Sequence, residues 1–326
     1  MVADFSLYNS FIDIHNGDEY SAQFAVDNYL NAIFEQVRAI YENNTIFENE
    51  IISLNLIATF IVIREQDCPL MQNYPSENST NFDNSTSMEL SIDALDAIHL
   101  IHQWILRYSE WLPPHDHAII ITKFDLLTPK GDSSTQGMAY VGAMCRNSES
   151  ASVVEDIGAM ATAMIAAHEL AHRNETSLCV RRHRERERRL RRTSHSDGRR
   201  KPGELFLQQH QCEIAFGPQY GVCKQREYQK RSNPCKRLWC KNRNTKRTAS
   251  CETKNYLPLF DGTKCGVHKW CIAGNCVFNN REDNSCVDVN VSMCTSLSAA
   301  KLKRFCKSAK FNAICCLSCS TIRLMQ

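Results

Sequence analysis

The sequence contains no apolar run that approaches the roughly 18 residues of a membrane-spanning helix. Its first residues, MVADFSLYNSFIDI, also lack the basic start and the apolar run that mark a signal peptide. We therefore expect no transmembrane segment within this sequence. We also expect that the sequence begins inside a longer precursor.

Cysteine is scarce in the first 200 residues, which hold three of the 17 cysteines, whereas the other 14 lie between Cys212 and Cys319. This tail lacks the repeated CxxC knuckles of a zinc-ribbon array, because only Cys316 and Cys319 form such a pair. We therefore predict that the tail consists of disulfide-bonded modules that form in an oxidising compartment.

The cysteines of the tail fall into two sets with even counts, as closed disulfide sets require. Residues 203–278 hold eight cysteines and residues 286–319 hold six. We predict four bridges within the first set and three within the second, in two separate modules at residues 203–278 and 284–320. The pairing within each set stays open, because many connectivities are possible.

The length of 326 residues and the apolar content of 43% are enough for one domain with a sizeable core plus small modules. The net charge of +2 indicates no particular partner. Helix-like and strand-like patterns alternate over residues 1–172, which predicts a mixed α/β domain. The predicted strands are Val2–Ile14, Ile51–Ile63, His117–Phe124 and an edge-strand and loop region at Thr128–Met144, and the predicted helices are Phe24–Tyr41, Ile92–Ile105 and Gly158–His172.

One motif carries recognisable chemistry, the HExxH sequence His168-Glu169-Leu170-Ala171-His172. Residues four apart share one face of a helix, so both imidazoles point to one spot and can bind one zinc ion. Glu169 lies beside that spot and can take a proton from a zinc-bound water, whose pKa falls to about 7. The competing interpretation is a pair of surface histidines next to a glutamate. The helical context within a mixed α/β domain favours the zinc site.

With this motif in such a domain, the chain resembles the adamalysin branch of the metzincin proteases, the ADAM and ADAMTS families. Asp116–Phe124 (DHAIIITKF) is similar to the family's strand before the active site, and Gly137–Cys145 (GMAYVGAMC) is similar to its edge strand beside the substrate cleft. The resemblance implies a metzincin-like mixed twisted sheet with helices. It places a catalytic domain at residues 1–178 that is truncated after HExxH.

The cysteine-rich tail also resembles known modules. Four segments in order are similar to the ADAMTS disintegrin-like or cysteine-rich module: Gly203–Gly217, Pro234–Cys240, Phe260–Gly266 and Lys269–Val277. The last six cysteines, which end in CCLSC, resemble a PLAC module. The resemblance therefore implies that small disulfide-rich modules follow the catalytic domain.

The resemblance implies a secreted zinc metalloendopeptidase that acts on extracellular matrix or cell-surface proteins. Zn²⁺ would be held by His168 and His172, with Glu169 as the catalytic base. Five Asn-x-Ser/Thr sequons agree with an extracellular glycoprotein: Asn43, Asn78, Asn84, Asn174 and Asn290.

The sequence departs from the family pattern HExxHxxGxxH at two positions, where Glu175 replaces the glycine and Leu178 replaces the third histidine. The stretch between His172 and Gly203 also has no methionine for the family's Met-containing turn. It is too short for the family's lower subdomain, which we expect to be missing. We therefore expect little or no peptidase activity from the chain as it stands. The alternative function is a catalytically inert secreted scaffold that binds matrix.

A basic run separates the two regions, since residues 180–201 hold ten Arg and one Lys against two Glu and one Asp. These charges repel one another and few side chains can be buried, so we predict a solvated linker at residues 179–202 that belongs to neither folded domain. A glycosaminoglycan contact and a proprotein-processing site are the alternatives. The lack of interleaved aromatic residues argues against nucleic acid. His183 and His195 in this run are candidate substitutes for the third zinc ligand.

Overall fold

The computed structural model describes most of the chain: residues 1–43, 54–71, 90–143, 149–172, 200–225, 228, 233–246, 248–254, 257–279, 288, 291–316 and 318–319. These residues divide into two compact units, residues 1–266 with 270–276 and residues 267–269 with 277–326. No helix within the described ranges is long and apolar enough to cross a bilayer.

The first unit is built on a mixed β-sheet. Its strands are Val2–Ala3 (β1), Phe60–Ile61 (β2), Ser91–Asp93 (β3), Ala118–Thr122 (β4), Asp125–Leu127 (β5), Gly137–Ala139 (β6) and Ala151–Glu155 (β7). Five of them form one sheet in the order β2-β1-β4-β7-β6, and β3 pairs with β5 in a separate parallel ribbon. Within the five-stranded sheet, β6 runs antiparallel to β7 at one edge, and the other four strands are parallel.

Helices cover both faces of this sheet. They are Phe5–Ile14 (α1), Glu19–Asn43 (α2), Ala94–Arg107 (α3) and Ala159–Ala171 (α4). Ile119 and Ile121 of β4 belong to the core that contains buried residues of α1, α2 and α4, whereas Ile120 belongs to the core that contains those of α3. A parallel strand that is buried on both faces needs a continuous apolar run. The predicted fold class, a mixed α/β sheet with helices and a disulfide-rich tail, is confirmed.

The predicted helix at Ile92–Ile105 is confirmed as α3, whose buried residues recur at helical spacing: Ala94, Ala97, Ile98, Ile101 and Ile105. Its start is fixed by Asp93, whose carboxylate accepts hydrogen bonds from the N–H groups of Leu95 and Asp96. Such an N-cap satisfies backbone donors that have no partner within the helix. The predicted helices at Phe24–Tyr41 and Gly158–His172 are likewise confirmed as α2 and α4.

The prediction of a strand over Val2–Ile14 is wrong for most of its length. Only Val2–Ala3 forms a strand, and Phe5–Ile14 is helical. Asp4 starts the helix, because its carboxylate accepts the Leu7 N–H. The buried side chains of α1 then follow helical rather than alternating spacing.

Two further strand assignments differ from the structure. In the predicted strand Ile51–Ile63 only Phe60–Ile61 is extended and paired, and Ile57 and Ile63 are about half exposed. Its first residues, 51–53, lie outside the described residues. The central strand β7 was not predicted, although four of its five residues are buried. The predicted strand at His117–Phe124 and the edge strand within Thr128–Met144 are confirmed as β4 and β6.

The cysteine-rich residues up to 276 share a core with the sheet domain. Tyr29 of α2 packs against Phe206 and Phe260, with ring centroids 5.6 and 6.3 Å away. Gln36 donates a hydrogen bond of 3.2 Å to the Asp261 carboxylate and accepts one of 3.2 Å from the Asp261 N–H. Both groups are buried. The module boundaries predicted from the sequence remain predictions.

Short elements and four disulfides order these cysteine-rich residues. The helices are Pro202–Leu205 and Gln208–Phe216, and the strands are Tyr220–Val222, Cys240–Asn242, Lys264–Gly266, Lys269–Ile272 and Asn275–Phe278. The bridges are Cys212–Cys240, Cys223–Cys251, Cys235–Cys271 and Cys265–Cys276. The prediction of four bridges within this set is confirmed.

The second unit is a small helical body. Its helices are Val291–Thr295, Ala299–Phe305 and Ala309–Ile314. Disulfides Cys294–Cys315 and Cys306–Cys319 lie in its core together with Leu302. Cys316 is also disulfide-bonded. Two of the three predicted bridges are thus confirmed, and the third is not fully within the described residues.

Residues 179–199, which make up most of the predicted linker, lie outside the described residues, as do four of the five sequons. Its last residues, 200–202, are within the described part of the chain. The Lys201 N–H donates a hydrogen bond of 2.6 Å to the Glu204 carboxylate, and the Lys201 ammonium lies 5.4 Å from the Trp270 ring centroid. Lys201 is therefore the N-cap residue of the short helix Pro202–Leu205 and is packed within the first unit.

Candidate metal centre

The HExxH motif occupies the end of α4, an alanine-rich helix. Six of its thirteen residues are alanine, the strongest helix former. Ala163 and Ala166 are fully buried, and these small side chains allow α4 to pack closely. The helix ends at Ala171 and His172 is its C-cap residue. The motif therefore begins in the last helical turn and finishes one residue beyond it.

The structure brings the three predicted site residues together. One potential ligand atom from each of His168, Glu169 and His172 lies within 4.8 Å of the other two. The two imidazole rings are perpendicular, with centroids 4.8 Å apart, and His172 Nε2 lies 4.0 Å from Glu169 Oε2. His168 is exposed, His172 is half-buried and Glu169 is buried. The imidazoles are thus accessible from solvent while the carboxylate is sheltered.

The edge strand β6 lies directly against Glu169. Gly137 of this strand has no side chain, and a Cβ atom there would lie 2.6 Å from Glu169 Oε1 and 2.8 Å from its Cγ. Beyond the strand, the Gly142 N–H donates a hydrogen bond of 2.8 Å to the His172 carbonyl. The segment predicted to border the site therefore does so over its described part, and residues 144–148 lie outside the described residues.

Gly137→Ala is expected to lower the free energy of unfolding by about 1–3 kcal/mol, because the new methyl group overlaps the buried Glu169 side chain. Urea denaturation measures this cost. The same substitution in a Glu169→Ala background serves as the control, since the overlapping atoms are then absent and most of the cost should disappear. An equal cost in both backgrounds would contradict the contact.

Burial raises the pKa of the Glu169 carboxyl to about 7. The reason is that removing a carboxylate from water disfavours its charged form. A group with this pKa takes up and returns a proton readily near neutral pH. The packing of Glu169 against β6 therefore raises the pKa of the carboxyl and also requires a glycine at position 137.

A buried polar network fixes the start of α4. Asp156 follows β7 directly. Its Oδ1 accepts hydrogen bonds from the Tyr29 hydroxyl at 2.7 Å, the Thr162 hydroxyl at 2.6 Å and the Gly158 N–H at 3.2 Å. Its Oδ2 lies 2.8 Å from the Lys123 ammonium. The helix that carries HExxH is thus held to two neighbouring strands and to α2.

This network was not predicted, although the sequence contains a signal for it. Lys123 directly follows β4 and Asp156 directly follows β7. These two strands are parallel neighbours, with Thr122 opposite Glu155. Charged residues of opposite sign that directly follow adjacent parallel strands meet at one edge of the sheet.

The side chains at the site match part of the ligand set that zinc prefers. Imidazole nitrogen is a good zinc ligand, and two imidazoles converge here. Among the described residues the only other group of potential metal ligands is Cys235, Cys265 and Cys276, whose sulfurs are engaged in disulfides. The third-ligand position of the family pattern, residue 178, lies outside the described residues, as do His183 and His195.

Comparison with known families assigns both parts of the chain. Residues 28–174 match the family described as metallo-peptidase family M12B, reprolysin-like. Residues 202–277 match the ADAMTS cysteine-rich domain 2. The first match extends from α2 through the HExxH motif, and the second contains all four disulfides of the first unit.

The similar proteins include three long relatives. "A disintegrin and metalloproteinase with thrombospondin motifs 20" of Mus musculus is 25% identical over 303 residues, or 79% of this chain and 14% of the relative. The protein of the same name with number 1, from Homo sapiens, is 26% identical over 317 residues, or 83% of this chain and 30% of the relative. Number 3, from Homo sapiens, is 29% identical over 206 residues, or 51% of this chain and 16% of the relative. The chain thus spans less than a third of these relatives' length. The two family matches in this order, together with these relatives, show that the chain is similar to the ADAMTS-type, reprolysin-like metallopeptidases over most of its length.

Proposed function

We propose that this chain is a zinc-dependent metalloendopeptidase of the extracellular space, with Zn²⁺ held by His168 and His172. The observation that carries the proposal is the convergence of two imidazoles and one buried carboxylate within 4.8 Å, in a domain of a metallopeptidase family. Zinc, when bound, polarises a peptide carbonyl and lowers the pKa of a water molecule to about 7.

Glu169 is the proton-transfer residue of the proposed site. Its carboxylate takes a proton from the attacking water and delivers it to the departing amine, and its pKa of about 7 suits both steps. Gly137 leaves room for this carboxylate beside the imidazoles. β6 is the edge strand of the described sheet. An extended peptide can add to such an edge and thereby lie beside Glu169.

The proposed substrates are extracellular matrix or cell-surface proteins. Disulfides form and persist in oxidising compartments, and the six described bridges support an extracellular location. Residues 284–320 are proposed to be a PLAC-like module. The Arg-rich run is proposed to contact glycosaminoglycans, and the five sequons are proposed to carry glycans.

A second candidate function is a catalytically inert scaffold that binds matrix. Leu178 in the third-ligand position favours it, because a leucine cannot bind zinc. Two imidazoles plus waters hold zinc more weakly than three protein ligands, so we expect low peptidase activity even in the first case. Both candidate functions include zinc binding at His168 and His172. They differ in whether the chain cleaves peptide bonds.

His168→Ala is expected to weaken zinc binding at least about ten-fold, or about 1.4 kcal/mol, because it removes one of two imidazole ligands. Isothermal titration of residues 1–326 with zinc measures the change. His99→Ala is the matched control, since His99 is an exposed helical histidine away from the motif. Unchanged zinc affinity in His168→Ala would contradict the proposed site.

Cleavage of a casein-type substrate by the zinc-loaded chain then separates the two functions. Slow cleavage that Glu169→Gln abolishes, with zinc affinity retained, is expected of the peptidase. Zinc binding with no cleavage by either protein is expected of the scaffold.

A further inference from the structure

We propose that the second compact unit binds a sulfated polysaccharide through an exposed basic surface formed by Lys301, Lys303, Arg304, Lys307 and Lys310. This site is distinct from the Arg-rich run at residues 180–201. It is also independent of the proposed peptidase activity.

The charge of this unit is strongly one-sided. Residues 267–269 and 277–326 hold eight basic residues against three acidic ones, Glu282, Asp283 and Asp288. Five of the eight basic residues lie between Lys301 and Lys310. Asp288 is buried, and its carboxylate accepts hydrogen bonds from the N–H and the hydroxyl of Ser318. The Asp288 carboxylate therefore does not neutralise the exposed basic side chains, and Glu282 and Asp283 lie outside the described residues.

The basic side chains are presented outward by the helix packing. Leu302 and Cys306 point into the core, and all five basic side chains are exposed. Within the described part of the chain, none of the five forms an ion pair. An unpaired cationic surface of this kind attracts polyanions.

Helix stability does not account for this pattern. Lys303 and Arg304 lie in the last turn of their helix, where cations interact favourably with the helix dipole. Lys301 and Lys310, by contrast, lie in the first turns of the helices Ala299–Phe305 and Ala309–Ile314. Cations at helix N-termini are unfavourable by a similar amount. Helix stability therefore does not explain the positions of Lys301 and Lys310.

The surface is also preorganised. Disulfides Cys294–Cys315 and Cys306–Cys319 tie these helices into one core, and the Phe305 and Phe311 rings pack with centroids 5.4 Å apart. The backbone that carries the cations is thus ordered before any ligand arrives. A preorganised site loses less conformational entropy on binding.

The disulfides also indicate which class of polyanion this surface meets. They form in oxidising compartments outside the cytosol, where sulfated glycosaminoglycans are the abundant linear polyanions and nucleic acids are not. Four of the five cations are lysines, which act as point charges, whereas arginine is the residue suited to bidentate and stacking contacts with bases. These features favour a sulfated polysaccharide.

Replacement of all five basic residues by Gln is expected to weaken binding of a heparin oligosaccharide about ten-fold or more and to reduce its salt dependence. Isothermal titration of the full chain at two salt concentrations measures both. Every protein in the series also carries Gln at the eight arginines between residues 181 and 192, so that the Arg-rich run does not mask the effect.

The matched control replaces four lysines and one arginine that are exposed in the first unit: Lys130, Lys224, Lys236, Arg237 and Lys246. It removes the same charge and should bind heparin like its parent. Equal losses in the two quintuple variants, or no loss in either, would overturn the proposal. Desulfated heparin should bind weakly, and duplex DNA that binds more tightly than heparin would also overturn it.

Discussion

Lys123→Met is expected to lower the free energy of unfolding of the first unit by about 3–5 kcal/mol, the usual cost of removing one partner of a buried ion pair. Asp156 is fully buried, and its Oδ2 lies 2.8 Å from Lys123 and accepts no other hydrogen bond within the described part of the chain. The Lys123 ammonium also donates a 2.9 Å hydrogen bond to the Ile214 carbonyl, in a helix of the cysteine-rich residues. Urea denaturation followed by tryptophan fluorescence measures the cost.

The pH dependence of this cost tests its cause. Burial alone raises the pKa of Asp156, but Lys123 and the Thr162 and Tyr29 hydroxyls outweigh burial and hold that pKa below its usual range. A lowered folded-state pKa contributes stability above the unfolded-state value of about 4, and this stability is lost as pH falls through the folded-state pKa. Without Lys123, burial raises the pKa of the Asp156 carboxyl. In acid this carboxyl is then protonated, and the cost of burying an unpaired charge disappears.

The cost of Lys123→Met should therefore be smaller at pH 5 than at pH 8. Lys130→Met is the matched control, because Lys130 is an exposed loop lysine, and it should change stability by less than about 0.5 kcal/mol at either pH. If the cost of Lys123→Met were the same at both pH values, an uncompensated Asp156 charge would not be its source.

Local patterns were enough to predict the long elements of this fold. The apolar run of β4 and the helical spacing in α3 persist over enough residues to identify each element. The motif geometry at His168 and His172 follows from the same periodicity, because it depends on one turn of one helix. These features arise within short stretches of chain.

Features set by contacts between distant segments could not be predicted in this way. β7 contains only two aliphatic residues beyond alanine, Val153 and Val154, and it is a strand because it is buried between β4 and β6. The buried environment of Glu169 depends on Gly137, which lies 32 residues earlier and approaches it only when β6 pairs with β7. The HExxH sequence predicts which groups meet, and the sheet determines how sheltered the carboxylate is.

The shared core of the sheet domain and the cysteine-rich residues is the least local of these features, and Phe260 lies at its junction. The Phe260 side chain is fully buried, with its ring centroid 6.3 Å from those of Tyr29 in α2 and Phe206. The flanking residue Asp261 exchanges hydrogen bonds with Gln36, also in α2. A cavity at this point removes contacts from both parts of the first unit at once.

Phe260→Ala is therefore expected to lower the free energy of unfolding by about 3–5 kcal/mol, the cost of truncating a fully buried phenylalanine. Because the two parts share this core, the sheet domain and residues 202–276 should lose stability together. Hydrogen exchange measured by mass spectrometry tests this, with faster exchange expected in both α2 and the helix Gln208–Phe216. Phe278→Ala is the control, since this ring is 68% exposed and its loss should cost less than about 0.5 kcal/mol. Faster exchange confined to the cysteine-rich residues would show that they fold as a separate body.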